Sequence, residues 1–329
     1  MKKLLSILLV VSFQIEHIAH AKILDTKQPY TYEGMKEDIV KINHQYRALK
    51  VKKIGETHFG RNIYAIKLGK GKKNIVLIGA HHGREWITSM LLIKKLEEYA
   101  DAYHRKVKFG SFSTDVLNDV SIWFIPMLNP DGVTIQQNEL DSFPNRFTKK
   151  LLRMNDDLKN FERWKANGVG IDLNRQYPAG WKGLKDGPTY PNYQFYKGRR
   201  PLVAKEVIYL TNFIDEVNPE IAIAYHSSGR EIFWNYKNGR HLQRDKKVAA
   251  RISKLTGYPL AKPPKQATGG GFTDWFITKY HRPAMTIEIS PLVGETSPPL
   301  DVFESEWERN KYVGLTLAEE AKKLVQKQK

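Results

Sequence analysis

Eight residues, Gly79-Ala80-His81-His82-Gly83-Arg84-Glu85-Trp86, constrain this chain more than any other stretch. They follow an apolar run at residues 75–78 with the length of a buried strand. They precede residues 87–93, whose apolar spacing predicts a helix entering a core. An imidazole and a carboxylate, His82 and Glu85, therefore fall on a strand-to-helix turn. Open α/β sheets place their chemistry there, in the crevice beyond the carboxyl ends of the strands. The spacing lets both side chains reach one divalent ion, which raises the question of a third ligand, a base and an anion pocket. The 329 residues include no cysteine. Disulfides and a cysteine nucleophile are thereby excluded, and any metal must be held by histidines and carboxylates.

The rest of the chain alternates. Apolar runs at 63–68, 74–79, 120–126, 221–225 and 284–289 predict strands. Helical spacing marks residues 30–50, 87–103, 201–217, 244–257, 272–281 and 301–327. The basic turn Gly69-Lys70-Gly71-Lys72-Lys73 predicts a hairpin between the first two strands, and residues 133–168 are charged and without a period. Strands alternating with helices indicate an α/β fold, a mixed central sheet flanked by helices on both faces. No repeat or linker interrupts the pattern, so residues 22–329 read as a single catalytic domain.

Residues 1–21 read as a signal peptide. Met1-Lys2-Lys3 is a basic start, residues 4–13 are apolar, and Ala19-His20-Ala21 offers small residues where a signal peptidase reads. The run is too short to span a bilayer. The expected location is secreted, extracellular or wall-associated, with no membrane span after cleavage. The net charge of +18 would fall by one with the loss of Lys2, Lys3 and Glu16. Such a basic exported protein suits anionic cell-wall polymers, or keeps its charge for solubility alone. No nucleic-acid motif is present.

Three strand ends carry chemistry: His82 and Glu85 after one, His226 after another, and Glu288 within residues 284–289. Hydrolytic zinc sites take three nitrogen or oxygen ligands and leave a position for water. His82, Glu85 and His226 make such a set, with Glu288 as the unligated carboxylate that takes a proton from water. His81 competes with His82 as ligand, and His82 is preferred for its spacing to Glu85.

At this level the chain resembles the zinc metallocarboxypeptidases of the carboxypeptidase A type. The resemblance rests on six blocks in order: residues 82–88, Pro126-Met127-Leu128-Asn129-Pro130-Asp131-Gly132, Gly170-Ile171-Asp172-Leu173-Asn174-Arg175, His226-Ser227-Ser228-Gly229, Gly269-Gly270-Gly271-Phe272-Thr273-Asp274-Trp275 and Thr286-Ile287-Glu288. Trp164-Lys165-Ala166-Asn167, Tyr225 to Gly229, and residues 290–296 are most similar to the bacterial γ-D-glutamyl-diamino acid peptidases, which cut cell-wall muropeptides.

The resemblance implies a carboxypeptidase-like fold and one zinc ion on His82, Glu85 and His226. It implies Glu288 as general base and Lys165 at the place of the family's oxyanion-binding arginine. Arg84, Asn174 and Arg175 would hold the substrate's backbone and carboxylate, for which a guanidinium's parallel N–H groups are suited. Two features depart from the family: the mobile tyrosine has no counterpart near Lys265, and the glycine block Gly269-Gly270-Gly271 has one residue more than in the animal enzymes; Phe272 and Thr273, which flank the side-chain pocket, are not acidic. The family's inhibitory propeptide domain is not expected, because little sequence precedes the first strand-like run. The expected function is an exported zinc peptidase acting between γ-D-glutamate and a diamino acid of peptidoglycan stem peptides. A general metallocarboxypeptidase for L-peptides and an inactive wall-binding homologue are the alternatives.

Overall fold

The computed structural model describes residues 22–46, 49–263 and 268–326. Its strands are β1 (Leu49–Glu56), β2 (Asn62–Leu68), β3 (Lys73–Ile78), β4 (Val120–Ile125), β5 (Ile221–Ser227), β6 (Glu231–Phe233), β7 (Leu260–Ala261) and β8 (Ala284–Ile289). Its helices are α1 (Tyr32–Gln45), α2 (Ile87–His104), α3 (Pro130–Gln136), α4 (Asn145–Met154), α5 (Lys205–Val217), α6 (Leu242–Thr256), α7 (Phe272–Tyr280), α8 (Phe303–Asn310) and α9 (Val313–Gln326). The strands form one eight-stranded sheet in the order β1-β2-β4-β3-β5-β8-β6-β7. Strands β4, β3, β5 and β8 run parallel; at one edge β1 and β2 run against their neighbours, and at the other β6 runs against β8 and parallel to the edge strand β7. The sheet is mixed, as expected.

Apolar runs in the central strands follow from burial on both faces. Ile75, Leu77, Ile223, Tyr225, Met285 and Ile287 join one core with α1, α2, α6, α8 and α9. The alternate residues Val76, Ile78, Ala222, Ala224 and Ala284 join a second core with α5 and α7. Helices therefore cover both faces, and the even-numbered residues of β5 and β8 share the α5–α7 side.

The hairpin expected between β2 and β3 does not form, because β4 lies between them. The Lys70 and Gly71 N–H groups both donate to the Leu117 carbonyl, at 2.8 and 3.2 Å, and Ser121 Oγ donates to the Gly71 carbonyl at 2.8 Å. The turn is thus tied to the segment entering β4 rather than closed on itself. A Cβ at Gly71 would lie 2.2 Å from the backbone at Asp119 and Val120, so only glycine allows this approach.

Residues 133–168, expected to be irregular, hold the end of α3 and all of α4. They pack on a small satellite core of Ile135, Phe143, Leu151, Phe161 and Trp164. The closing helix expected over 301–327 is broken at Lys311 and Tyr312 into α8 and α9. The signal-peptide assignment lies outside the described residues. Among those, no helix is long and apolar enough to cross a membrane.

Candidate metal centre and cleft

Strand register assembles the site. Ile78, the last residue of β3, pairs with Ala224 of β5, and His226 of β5 pairs directly with Glu288 of β8. Beyond β3 the chain enters a 3-10 turn, Gly83–Glu85, that carries the His82–Glu85 pair into α2. Gly83 donates its N–H to the Lys165 carbonyl at 3.0 Å, and a Cβ there would lie 2.4 Å from the Gly132 carbonyl and 2.9 Å from that of Trp164. Glycine at this position lets two neighbouring loops close over the turn. Asn129 joins them: its Oδ1 caps α3 at Gly132 N, and its Nδ2 donates to the carbonyls of His81 and Ala166, each at 3.1 Å.

His82, Glu85 and His226, all buried, offer donor atoms that lie within 4.8 Å of one another. His82 Nδ1 is 2.7 Å from Glu85 Oε1, His226 Nδ1 is 2.8 Å from Glu85 Oε2, and the two Nδ1 atoms are 3.1 Å apart. The proton arrangement makes this cluster informative. His82 Nε2 lies 3.1 Å from Asp172 Oδ1, a carboxylate that can only accept, so Nε2 carries the proton. In neutral His82 the Nδ1 lone pair then faces a carboxylate oxygen and a second imidazole nitrogen. A divalent cation resolves that crowding, and Asp172 is the outer carboxylate that fixes the tautomer of a metal-binding histidine. Two imidazoles and a carboxylate without thiolates fit Zn²⁺.

Charge is arranged to match. Burial works against the Glu85 carboxylate, but His82 and His226 hold it well below the usual range. Burial likewise opposes ionised Asp172, and Lys165, His82 and Arg175 overcome it. Lys165 Nζ lies 3.6 Å and Arg175 Nε 3.9 Å from Asp172 Oδ2. Asp172 Oδ1 also accepts from Asn174 N at 3.0 Å, capping the turn that carries Asn174 and Arg175. One carboxylate thus orients an imidazole, two cations and a turn. The sequence reading carried Asp172 inside a block without giving it a task, because a single polar residue before a 3-10 turn reads as a cap.

A cleft of about 270 Å³ opens over the cluster, and its walls include Lys165, Arg84, Asn174, Arg175 and Glu288. All the residues expected at the site therefore meet in one place. Burial pushes the Glu288 carboxyl well above its ordinary value, and the neighbouring Glu85 adds to the rise. Arg84 donates to the Arg163 carbonyl at 3.0 Å and to Gln194 Oε1 at 3.4 Å, and Gln194 in turn bonds Glu295. His81 points away from the cleft: its Nε2 lies 3.1 Å from the Tyr177 hydroxyl, and its ring stacks on His226.

Asn174 and Glu288 also line a second, smaller cavity of about 110 Å³, together with Asn235, Thr273, Thr286 and Asp274. Burial lifts the Asp274 carboxyl to about 6, against the Gly269 N–H that it accepts at 2.6 Å and the attraction of Lys237. The sequence reading found no acidic residue for this pocket. Asp274 was missed because an acid in the first turn of a helix also serves the helix dipole. The place near Lys265 lies outside the described residues.

A profile of the zinc carboxypeptidase family matches residues 35–312. The chain is 30% identical over 301 residues to gamma-D-glutamyl-L-diamino acid endopeptidase 1 of Lysinibacillus sphaericus, covering 90% of this chain and 74% of that protein. Among solved structures, thrombin activatable fibrinolysis inhibitor superposes with a TM-score of 0.72 at 18% identity, over 91% of this chain and 75% of that one. Carboxypeptidase A from Helicoverpa armigera gives 0.67 at 18% identity, over 91% and 74%. These two structures share the carboxypeptidase-like mixed sheet with its flanking helices.

Proposed function

The chain belongs to the zinc carboxypeptidase family, and from that we propose that it is an exported peptidase that hydrolyses the amide between γ-linked D-glutamate and a diamino acid in peptidoglycan stem peptides. The observation that carries the substrate reading is the small cavity beside Glu288, walled by the Asp274 carboxyl. A buried carboxyl lifted to about 6 gains most from a ligand that brings its own positive charge. The second amino group of a diamino acid supplies that charge. The resemblance to an endopeptidase named for this bond supports the same reading. Export rests on residues 1–21 and on the basic balance of the chain.

His82, Glu85 and His226 would hold the zinc ion, which when bound supplies a Lewis acid and acidifies water. The remaining chemistry belongs to the chain. Glu288, lining both the cleft and the small cavity, takes a proton from the attacking water and returns it to the leaving nitrogen. Lys165, steadied by Asp172, places its ammonium where negative charge develops on the carbonyl oxygen. Asn174 and Arg175 hold the leaving residue, since Asn174 borders its cavity. Arg84 lines the cleft but not the small cavity, and serves the acyl side, where a γ-linked glutamate presents its free α-carboxylate.

The test is turnover of γ-D-glutamyl-diaminopimelate peptides against amino-blocked L-dipeptides by the zinc-loaded protein. Cleavage of the first set is expected, and cleavage of the second set alone would make this a general carboxypeptidase. Glu288→Gln should lower kcat by roughly 10²–10⁴-fold while zinc stays bound. An unchanged effect on cell walls in that variant would point to a binding protein instead.

A further inference from the structure

A larger cavity, of about 830 Å³, lies beside the cleft and takes no part in the chemistry above. The two are joined through residues adjacent in the chain. Trp86 lines the larger cavity and follows Glu85 directly. The loop whose Leu292, Val293 and Gly294 border the cleft continues into Thr296 and Ser297, which border the larger cavity. Between them, Glu295 is pinned by Tyr193, whose hydroxyl donates to it at 3.1 Å, and by Gln194. The cavity thus lies along the loop that Gln194 ties to Arg84.

Most of its lining residues are polar and uncharged. Five side-chain carboxamides, from Gln28, Gln136, Gln137, Asn138 and Asn160, stand with the hydroxyls of Thr31, Thr296 and Ser297. The charged members are Glu139, Glu162 and Lys159, which leaves no positive excess to hold an anionic polymer. The exposed carboxamides of Gln28 and Asn138 offer a donor pair and an acceptor together, the pattern that matches neighbouring hydroxyl and acetamido groups. Gln137 Nε2 donates to the Tyr30 carbonyl at 3.0 Å and Asn160 Oδ1 accepts from Glu162 N at 2.8 Å, so these two carboxamides keep only part of their capacity for a ligand. Gln136 is committed to the wall itself, accepting from Trp86 Nε1 and donating to the Glu162 carbonyl, each at 3.0 Å.

We infer that this cavity is a subsite for a neutral, N-acetylated saccharide. The inference rests on the stem-peptide reading, and in that substrate the saccharide is the glycan from which the stem peptide hangs. The acyl side of the scissile bond points to the same wall of the cleft. The cavity lets the protein prefer stem peptides still attached to glycan over free peptides, without contact between the sugar and the reacting atoms.

The zinc-loaded protein is tested in two arms. In the first, KM is compared for a free γ-D-glutamyl-diamino acid stem peptide and for the same peptide attached to its disaccharide. The attached form should have a KM lower by about tenfold, and the ratio should fall towards one in Gln137→Ala and in the groove-filling Thr296→Trp. In the second, triacetylchitotriose is titrated by calorimetry, with binding expected to weaken in both variants. Equal KM values in the wild type overturn the inference, as does saccharide binding that neither variant alters. If neither peptide is cleaved, the stem-peptide reading fails. The titration then decides the saccharide site alone: binding sensitive to both variants supports it, and no binding overturns it.

Discussion

Glu206, at the start of α5, is the buried acid whose effect on this fold can be worked out from position alone. It is 1% exposed, and burial lifts its carboxyl from 4.5 to about 7, with the Asp131 carboxylate adding to the rise. The folded protein therefore keeps a proton on Glu206 at pH values where the unfolded chain has released it. Between about pH 4.5 and 7 the native state binds more protons than the unfolded state, so stability falls as pH rises through that window and levels off above it. At about 1.4 kcal/mol per pKa unit, the loss approaches ~3 kcal/mol by pH 8. Glu206→Gln removes the ionisation and keeps an oxygen to accept the Asn167 Nδ2 hydrogen bond, which is 3.1 Å in the native protein. The variant should match the wild type near pH 4.5 and exceed it by ~2–3 kcal/mol at pH 8, a gain of several degrees in melting temperature. Paired melting curves from pH 4.5 to 8 measure the difference directly, and effects of pH on zinc cancel between the two proteins. A difference that does not change with pH, or a variant less stable at pH 8, would refute the reasoning. The site would register the change too, because Asn167 holds Val169 N and Ile171 N and so shapes the loop between Lys165 and Asp172.

Asp172→Asn should weaken zinc binding by roughly 10–100-fold, since His82 exchanges a charged acceptor for a neutral amide that no longer raises its basicity; chelator competition reads this without an activity assay. Asp274→Asn should raise KM by about tenfold for a leaving residue with a side-chain amine and spare its norleucine analogue. In the wild type, kcat/KM for the amine-bearing substrate relative to that analogue should climb as pH passes about 6, where Asp274 ionises, and the variant should lack the climb. Gly83→Ala forces a methyl group against the Gly132 carbonyl and should cost roughly 1–3 kcal/mol, seen as a lower melting temperature with reduced zinc occupancy.

The central strands were legible because burial on both faces writes an unbroken apolar run: β3, β4, β5 and β8 all lie where Ile, Val and Leu cluster. The edges were not. In β1, Lys50, Lys52 and Lys53 alternate with Val51 and Ile54, so a half-exposed strand resembles a charged loop. Strands β6 and β7 are three and two residues long, too short to show a period. Helix α4 buries Leu151 among basic and polar neighbours, and its packing depends on aromatics outside the helix. The hairpin error has a topological cause. The Gly69–Lys73 turn has hairpin chemistry, but β4, residues 120–125, inserts between β2 and β3, and no local signal announces that pairing. At the site, His82, Glu85, His226 and Glu288 were readable as residues at strand ends. Asp172 and Asp274 were not, since each also has an ordinary capping task and only the fold shows what else their carboxyls face.

The pairing of His226 with Glu288 across two parallel strands carries a further consequence. Along a strand, neighbours point to opposite faces, so the chain at Glu288 is flanked by Ile287 and Ile289, both fully buried in the opposite core. Losing or gaining one residue within β8 would replace the cleft carboxylate by an isoleucine and drive a charge into that core. The same ladder that sets the hydrophobic packing therefore proofreads the site. Descendants of this chain can alter the cleft by exchanging side chains or by remodelling the loops beyond Ser227 and Ile289, but a change of length inside either strand removes the fold and the chemistry together.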